Sequence, residues 1–223
     1  MKASSVILDA LKDMDNTGTL EAEKKMDLYA GKDIRMTADT HREENGQGHT
    51  TAISKRGAAS VTGKESSLTM TAGKDIHLQA ARISSAGDMT IAGKRQVELG
   101  TAVAEKDNRV TWDRSNDRRD STAMETGSTL TAGRNLTVEN GKEITDLEEH
   151  HRHKEKGLLS SKTTTTYDEV KRTDTTGSIV EGDTLTMTAG KDISLTGSVA
   201  ASTKETALSA GRNISIHAAE ETD

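Results

Sequence analysis

The sequence predicts an all-β fold: a parallel β-helix, or β-solenoid, with about 20 residues per turn. Three observations carry this. A five-residue string recurs through the chain, the residues beside it alternate between apolar and polar, and aromatic side chains are almost absent. The string is Ala72-Gly73-Lys74-Asp75-Ile76. Copies stand at Ala30-Gly31-Lys32-Asp33-Ile34, Ala132-Gly133-Arg134-Asn135-Leu136, Ala189-Gly190-Lys191-Asp192-Ile193 and Ala210-Gly211-Arg212-Asn213-Ile214. Ala92-Gly93-Lys94-Arg95-Gln96-Val97 is a looser copy. Recurrence at a fixed period is the mark of repeat architectures, in which each unit buries its apolar face only by stacking on its neighbours.

The spacings define the unit. Ala72 to Ala92 is 20 residues and Ala189 to Ala210 is 21. The longer steps, 42 from Ala30 to Ala72, 40 from Ala92 to Ala132 and 57 from Ala132 to Ala189, are two units, or one unit plus an excursion. Aligned on the motif, the chain reads as two copies of a three-motif block. Each unit has the period of a half-buried strand. Leu185, Met187 and Ala189 alternate with Thr186 and Thr188, then Ile193 and Leu195 with Ser194 and Thr196. Leu68, Met70 and Ala72, then Ile76, Leu78 and Ala80, repeat the pattern.

The motif between the strands reads as a corner. Its Gly is expected to supply positive φ, its Asp or Asn to bond local backbone, and its charged pair to face solvent. Stacking disfavours like charges in one column. The motif alignment sets Asp75 beside Arg95 and Asp192 beside Asn213, but also Lys74 beside Lys94 and Lys191 beside Arg212.

In residues 1–29 Val6-Ile7-Leu8 reads as a short strand and Asn16-Thr17-Gly18 as a turn. Residues 6–14 and 20–28 are weak helical alternatives. Three excursions interrupt the turns, at about 38–67, 101–129 and 139–183. Each is expected to be a β-hairpin projecting from the helix and pairing with the others side by side. In the third, Ile144–Leu147 and Thr163–Val170 are the expected arms and 154–161 the tip. In the second, Trp112 is expected to anchor a small cluster.

Composition limits the function. Phe, Pro and Cys are absent, and the aromatics are Trp112, Tyr29 and Tyr167. The core must come from Ile, Leu, Val, Met and Ala, which suits a narrow layered interior. Without cysteine there are no disulfides and no cysteine–zinc site. A net charge of −6 gives no electrostatic basis for a nucleic-acid partner. No secretory signal and no run of about 18 apolar residues is visible. Outward positions occupied by Thr, Ser, Lys and Asp also argue against a transmembrane barrel. The chain begins and ends within its repeat pattern and reads as a segment of something longer.

The residues predict no catalytic, cofactor or metal site. Glu148-Glu149-His150-His151-Arg152-His153 combines metal-ligand types, but Arg152 and Lys154 oppose a cation, and a solvated face is the simpler reading. Polysaccharide-cleaving enzymes also use β-helices. Asp88, Glu98, Glu181 and Asp183 could be paired acids only at a catalytic separation, and few aromatics exist to hold a sugar. These carboxylates read as surface. Gly46-Gln47-Gly48 lacks a phosphate-loop lysine, and the Gly-Gly-x-Gly-x-Asp repeat that binds calcium is absent.

Leu-Thr-Met-Thr-Ala-Gly-Lys-Asp-Ile at 68–76 and 185–193, and Gly133-Arg134-Asn135-Leu136-Thr137-Val138, resemble the haemagglutinin repeats of the filamentous haemagglutinin family. The likeness is nearest to the second repeat region of the CdiA effectors of contact-dependent growth inhibition, above all over residues 153–193. It covers nearly the whole chain and is weakest over 1–25. Residues 92–97 depart from the motif, so a distorted corner is expected there. The resemblance implies a right-handed parallel β-helix in a large secreted filament at the bacterial cell surface, exported by an outer-membrane two-partner secretion transporter. It implies a non-enzymatic role in delivering a toxin through the target cell's outer membrane. The alternative is an adhesin shaft for attachment. The implied partners are the transporter and the target-cell envelope; the projecting hairpins themselves are expected to offer edges for self-association. No cofactor is implied.

Overall fold

A computed structural model describes residues 2–111, 116–140, 143–147 and 166–218. The described residues are all-β, without a helix, and most neighbouring strands run parallel. The described residues wind through seven turns, each built from up to three strand segments, which we call faces a, b and c.

In the first turn β1 (Lys2–Ala10) supplies faces a and b and β2 (Met14–Asn16) face c. The second is β3 (Thr19–Ala30) and the first half of β4 (Ile34–Asn45). The third is β6 (Ala58–Val61), β7 (Ser67–Ala72) and β8 (Asp75–Gln79); the fourth is β9 (Arg82–Ser85), β10 (Asp88–Gly93) and β11 (Gln96–Gly100). The fifth is β14 (Thr129–Ala132), β15 (Asn135–Asn140) and β16 (Glu143–Leu147). The sixth is β18 (Ile179–Ala189) and β19 (Asp192–Thr196), the seventh β20 (Val199–Ala210) and β21 (Asn213–His217). Because β3 and β18 each run across the bend between faces a and b, pairing closes a ring of eight parallel strands: β3–β6–β9–β14–β18–β15–β10–β7 and back to β3. Residues 6–14 and 20–28 therefore lie mainly in strands, not helices. Asn16 makes the expected turn, its side chain accepting from the Gly18 N–H at 3.1 Å.

Alternation puts every second residue inside. Met26, Leu68, Met89, Leu136 and Leu185 form one buried column, and Leu28, Met70, Ile91, Val138 and Met187 the next. Ile34, Ile76, Val97 and Ile193 line face c from within. Each such side chain, fully buried, contributes roughly 1.5–3 kcal/mol. Aliphatic side chains of similar length in each layer keep the interior narrow, which is why no Phe is needed.

The register corrects the motif alignment in two places. Ala72 pairs with Gly93, not Ala92. The Gly31 and Gly73 position is thus filled by Lys94, whose N–H bonds Ala72 O at 3.1 Å, as Gly73 N–H bonds Ala30 O at 2.9 Å. The copy at Ala132 stands at a different corner altogether. It joins faces a and b, in line with Ser85-Ala86-Gly87-Asp88, whereas the other copies join b and c. The b-to-c step of the fifth turn falls between Asn140, which pairs with Ala189, and Glu143, which pairs with Asp192. The duplicated three-motif block is therefore not the architecture. A seventh b-to-c corner, Ala10-Leu11-Lys12-Asp13-Met14, was hidden by its Leu.

Positive φ is also not why the corner residues are glycine. Among the described residues the only glycine with positive φ is Gly197, at 62°. The cause is stacking. A Cβ on Gly73 would fall on the carbonyl oxygen of Gly31 in the turn below, and one on Gly31 on that of Leu11. A second corner, from face c to face a, obeys the same rule through Thr126-Gly127-Ser128, Thr176-Gly177-Ser178 and Thr196-Gly197-Ser198. A Cβ on Gly127 would meet Gly177, and one on Gly177 would meet Gly197. The serines form a ladder, buried at Ser128 and Ser178. Ser128 Oγ accepts from Ala81 N–H at 3.1 Å and donates to Leu78 O at 2.6 Å; Ser178 Oγ accepts from Ser128 N–H at 3.1 Å; Ser198 Oγ accepts from Ser178 N–H at 3.2 Å.

Two predictions follow from this packing. Gly73→Ala should lower stability by about 1–3 kcal/mol, the usual cost of forcing atoms into a packed region. Gly46→Ala, at a hairpin tip with nothing within 4 Å of the added Cβ, should be nearly neutral; denaturant midpoints compare them. Ser128→Ala strands the buried Ala81 N–H and should cost roughly 1–3 kcal/mol, read as a drop in midpoint and faster amide exchange at Ala81.

Candidate functional surface

The chain leaves the stack between turns, and these departures build a second surface. β4 continues past face c and folds back as β5 (Gly48–Arg56), pairing antiparallel from Ala38–Arg56 to Asn45–Gly48. After the fourth turn β12 (Ala102–Thr111) and β13 (Asn116–Thr126) form a second antiparallel hairpin. The hairpins join edge to edge, β5 with β12 from Thr51–Glu105 to Gly48–Asn108. β17 (Thr166–Thr176) then adds to β13 in parallel along its whole length. The result is a lateral sheet in the order β17–β13–β12–β5–β4, continuous with face c through β4.

The third departure differs from the expected hairpin. Residues 144–147, read as one of its arms, belong to β16 and pair with β11 and β19 inside face c. The returning strand, β17, pairs with the second hairpin instead. The proposed tip at 154–161, the His150–His153 cluster and Trp112 lie outside the described residues.

Arg56 fastens the lateral sheet to the stack. Its guanidinium donates to Ala80 O and, at 2.7 Å, to Gly127 O, two turns further on. Burial pushes its pKa down, with a smaller contribution from Arg82. Beside this junction lies a shallow crevice of 220 Å³ lined by Thr37, His77, Gln79, Glu98 and Thr101. His77 Nδ1 lies 2.7 Å from Glu98 Oε2 on the next turn. The Thr101 hydroxyl is buried without a hydrogen-bond partner.

Three of the four acids singled out in the sequence serve the stack. Asp88 accepts from Arg134 at 2.8 Å and from Asn135. Asp183 accepts from Lys204 and Thr203, both at 2.7 Å. Glu98 holds His77, and Glu181 is exposed. Among the described residues no three or more His, Cys, Asp or Glu side chains are grouped to hold a metal ion.

The corner carboxylates have a role that the reading of a solvent-facing charged pair missed. Asp75 is only 3% exposed. It receives both arms of the Arg95 guanidinium from the turn above. Asp33 in turn accepts the Asp75 N–H at 3.3 Å. Asp192 repeats the arrangement with Arg212 and with the Asn213 N–H at 3.1 Å. Register sets Arg95 over Lys74 and Gln96 over Asp75, so each arginine answers an acid diagonally below it.

These pairs set a pH dependence. The hydrogen bonds from Arg95 hold the Asp75 carboxyl below its ordinary pKa, with its charge and those of His77 and Lys74 adding to the effect. A depressed folded-state pKa stabilises the fold above the unfolded carboxylate range, and this is lost as pH falls through the folded value. Acid titration of Arg95→Gln should therefore show a shallower loss of stability below the carboxylate range than the parent chain, with lower stability at neutral pH.

A family model described as hemagglutinin repeat matches residues 157–223. A curated protein named "tRNA nuclease CdiA" from Escherichia coli (strain STEC_O31) is 26% identical over 98% of this chain. The "16S rRNA endonuclease CdiA" of Enterobacter cloacae is 37% identical over 42% of it. These likenesses support a repeat region of the filamentous haemagglutinin/CdiA type. It spans 8% of the first CdiA relative and 3% of the second. No solved structure matches. The haemagglutinin-repeat region is a structural one, and the nuclease names belong to the relatives.

Proposed function

We propose that this chain is a non-enzymatic structural and translocation segment of a secreted CdiA-like contact-dependent growth inhibition toxin, supporting passage of that toxin through the target cell's outer membrane. The observation that carries this reading is the alignment with a CdiA protein over 98% of the chain, together with a structure whose acids are spent on turn-to-turn contacts. Residues 1–223 act as one β-helical repeat domain. Its hand is right-handed, as parallel crossover connections almost always are. Export through an outer-membrane two-partner secretion transporter and display at the cell surface come with the family.

The stack and the lateral sheet have different parts in this reading. Stacked turns give a stiff rod whose backbone hydrogen bonds are met internally. The lateral sheet projects from one face of the rod and is the part available to a target-cell envelope.

Deleting 40–54 and 104–124 from the full-length parent, with each gap closed by a short turn, removes both hairpins and leaves Arg56 and the glycine corners. Target-cell killing should fall by about tenfold or more while cell-surface display is unchanged, counted by competition assay and surface labelling. Unchanged killing with normal display would refute the delivery role. Lost cell attachment alone would favour the adhesin.

A further inference from the structure

The corner between faces b and c carries a second regularity besides its glycines. Register sets Lys12, Lys32, Lys74 and Arg95 in one column: the Lys32 N–H donates to Lys12 O at 2.9 Å, the Lys74 N–H to Lys32 O at 2.8 Å and the Arg95 N–H to Lys74 O at 2.7 Å. Lys94 stands beside them, its N–H on Ala72 O. The column resumes in the sixth and seventh turns, where the Arg212 N–H donates to Lys191 O. With strands about 4.8 Å apart, the first four turns set a cation at every step along one edge of the rod. Lys12, Lys32, Lys74 and Lys94 are exposed.

The acids of the same corner are turned along the stack. The Asp13 carboxylate accepts the Asp33 N–H and that of Asp33 the Asp75 N–H, both at 3.3 Å. Asp33 also holds Arg35 at 2.7 Å, and Asp75 holds Arg95. On face b the outward positions flanking the column in the second to fourth turns are Tyr29, Thr71 and Ala92, none of them charged; in the first turn it is Asp9. On face c the flanking column is Arg35, His77 and Glu98, with Glu98 held by His77. What reaches outward from the corner in the second to fourth turns is therefore the ammonium groups of Lys32, Lys74 and Lys94. Like charges directly opposite across strands are unfavourable, and a counter-charge met from outside relieves that repulsion.

Shape selects the counter-charge. The core lies inside the corner, so the edge is convex. A straight convex edge meets a plane along its whole length, whereas a thread-like polyanion is held best in a groove. Tyr29, 47% exposed on the flank, is of the residue type that settles where a membrane meets water. We propose that this edge is a membrane-contact ridge: Lys32, Lys74 and Lys94 bind the phosphate head groups of an anionic lipid surface, the rod lies lengthwise along it, and Tyr29 sits at head-group level. The hairpins leave face c at its other edge, past Thr37 and Gly100, so contact through the ridge leaves the lateral sheet free. A net charge of −6 opposes adsorption of the chain as a whole, so the attraction is local to the ridge and weakened by salt. The inference rests on the corner geometry and does not depend on the delivery role.

Flotation of the full 223-residue chain with lipid vesicles tests it. At low salt the parent chain should float with vesicles in which about a third of the lipid is phosphatidylglycerol, should stay behind with pure phosphatidylcholine, and should be released by salt. Lys32→Gln, Lys74→Gln and Lys94→Gln together should weaken binding by about a hundredfold, and Lys74→Gln alone by about fivefold, from the lysines lost at the surface. Lys55→Gln, Lys64→Gln and Lys106→Gln together change the net charge equally at exposed positions off the ridge and should bind as the parent does. Circular dichroism melts should show the ridge variant no less stable than the parent, because repulsion within the column is relieved. A parent chain that ignores anionic vesicles, equal binding to neutral ones, a ridge variant that binds as the parent does, an off-ridge variant that loses as much, or a parent that binds soluble dextran sulfate but not vesicles would each overturn the proposal.

Discussion

The stack rests on one constraint: successive turns are held together by in-register parallel backbone pairing. Strands in such a ladder lie about 4.8 Å apart, so each residue sits directly over its counterpart in the turn below. Side chains that point inward must match their column in size, which produces the stacked Leu, Met, Ile and Val layers. Side chains that would point along the stack must vanish. At the b-to-c and c-to-a corners the backbone of one turn lies where a Cβ of the next would go, and glycine is the solution in most turns. Charges at the corners must find partners in a neighbouring turn, as Asp75 does with Arg95 and Asp192 with Arg212.

Strand identity and the core residues were legible because alternation is a local signal, independent of which turn stacks on which. The register was less legible. At Gly93 and at Ala132 a similar string occupies a non-equivalent place. In the first case Lys94 fills the position usually held by glycine; in the second Ala132-Gly133-Arg134-Asn135 marks the bend between faces a and b. Motif similarity records a shared local need, a tight corner under another turn, and two different corners share it. The Thr-Gly-Ser corner was visible at 126–128, 176–178 and 196–198, but its irregular spacing across an excursion masked it. Reading the third excursion from 139 failed for the same reason. Residues 143–147 look like any alternating strand, and only pairing with β11 and β19 assigns them to the stack.

The same constraint divides the molecule into parts with different freedoms. Within the stack, several carboxylates and hydroxyls are committed to a neighbouring turn: Asp88 to Arg134, Asp183 to Lys204, the Ser178 hydroxyl to the Ser128 N–H. Between the turns the chain is free to lengthen, since an excursion need only return to its corner. Those insertions pair with one another and form a lateral sheet anchored by Arg56. The columns thus carry the stack, and the hairpins form a separate surface beside it.

The central claim is the register, and a disulfide scan measures it most directly. In a cysteine-free chain, Thr90→Cys with Thr137→Cys should form an intramolecular bridge readily, because these residues are paired on adjacent strands β10 and β15 within the Cα separation a disulfide accepts. Thr90→Cys with Leu130→Cys, the pair that would align if Ala92 and Ala132 shared a column, should not. A bridge to position 130 in place of 137 would contradict the account.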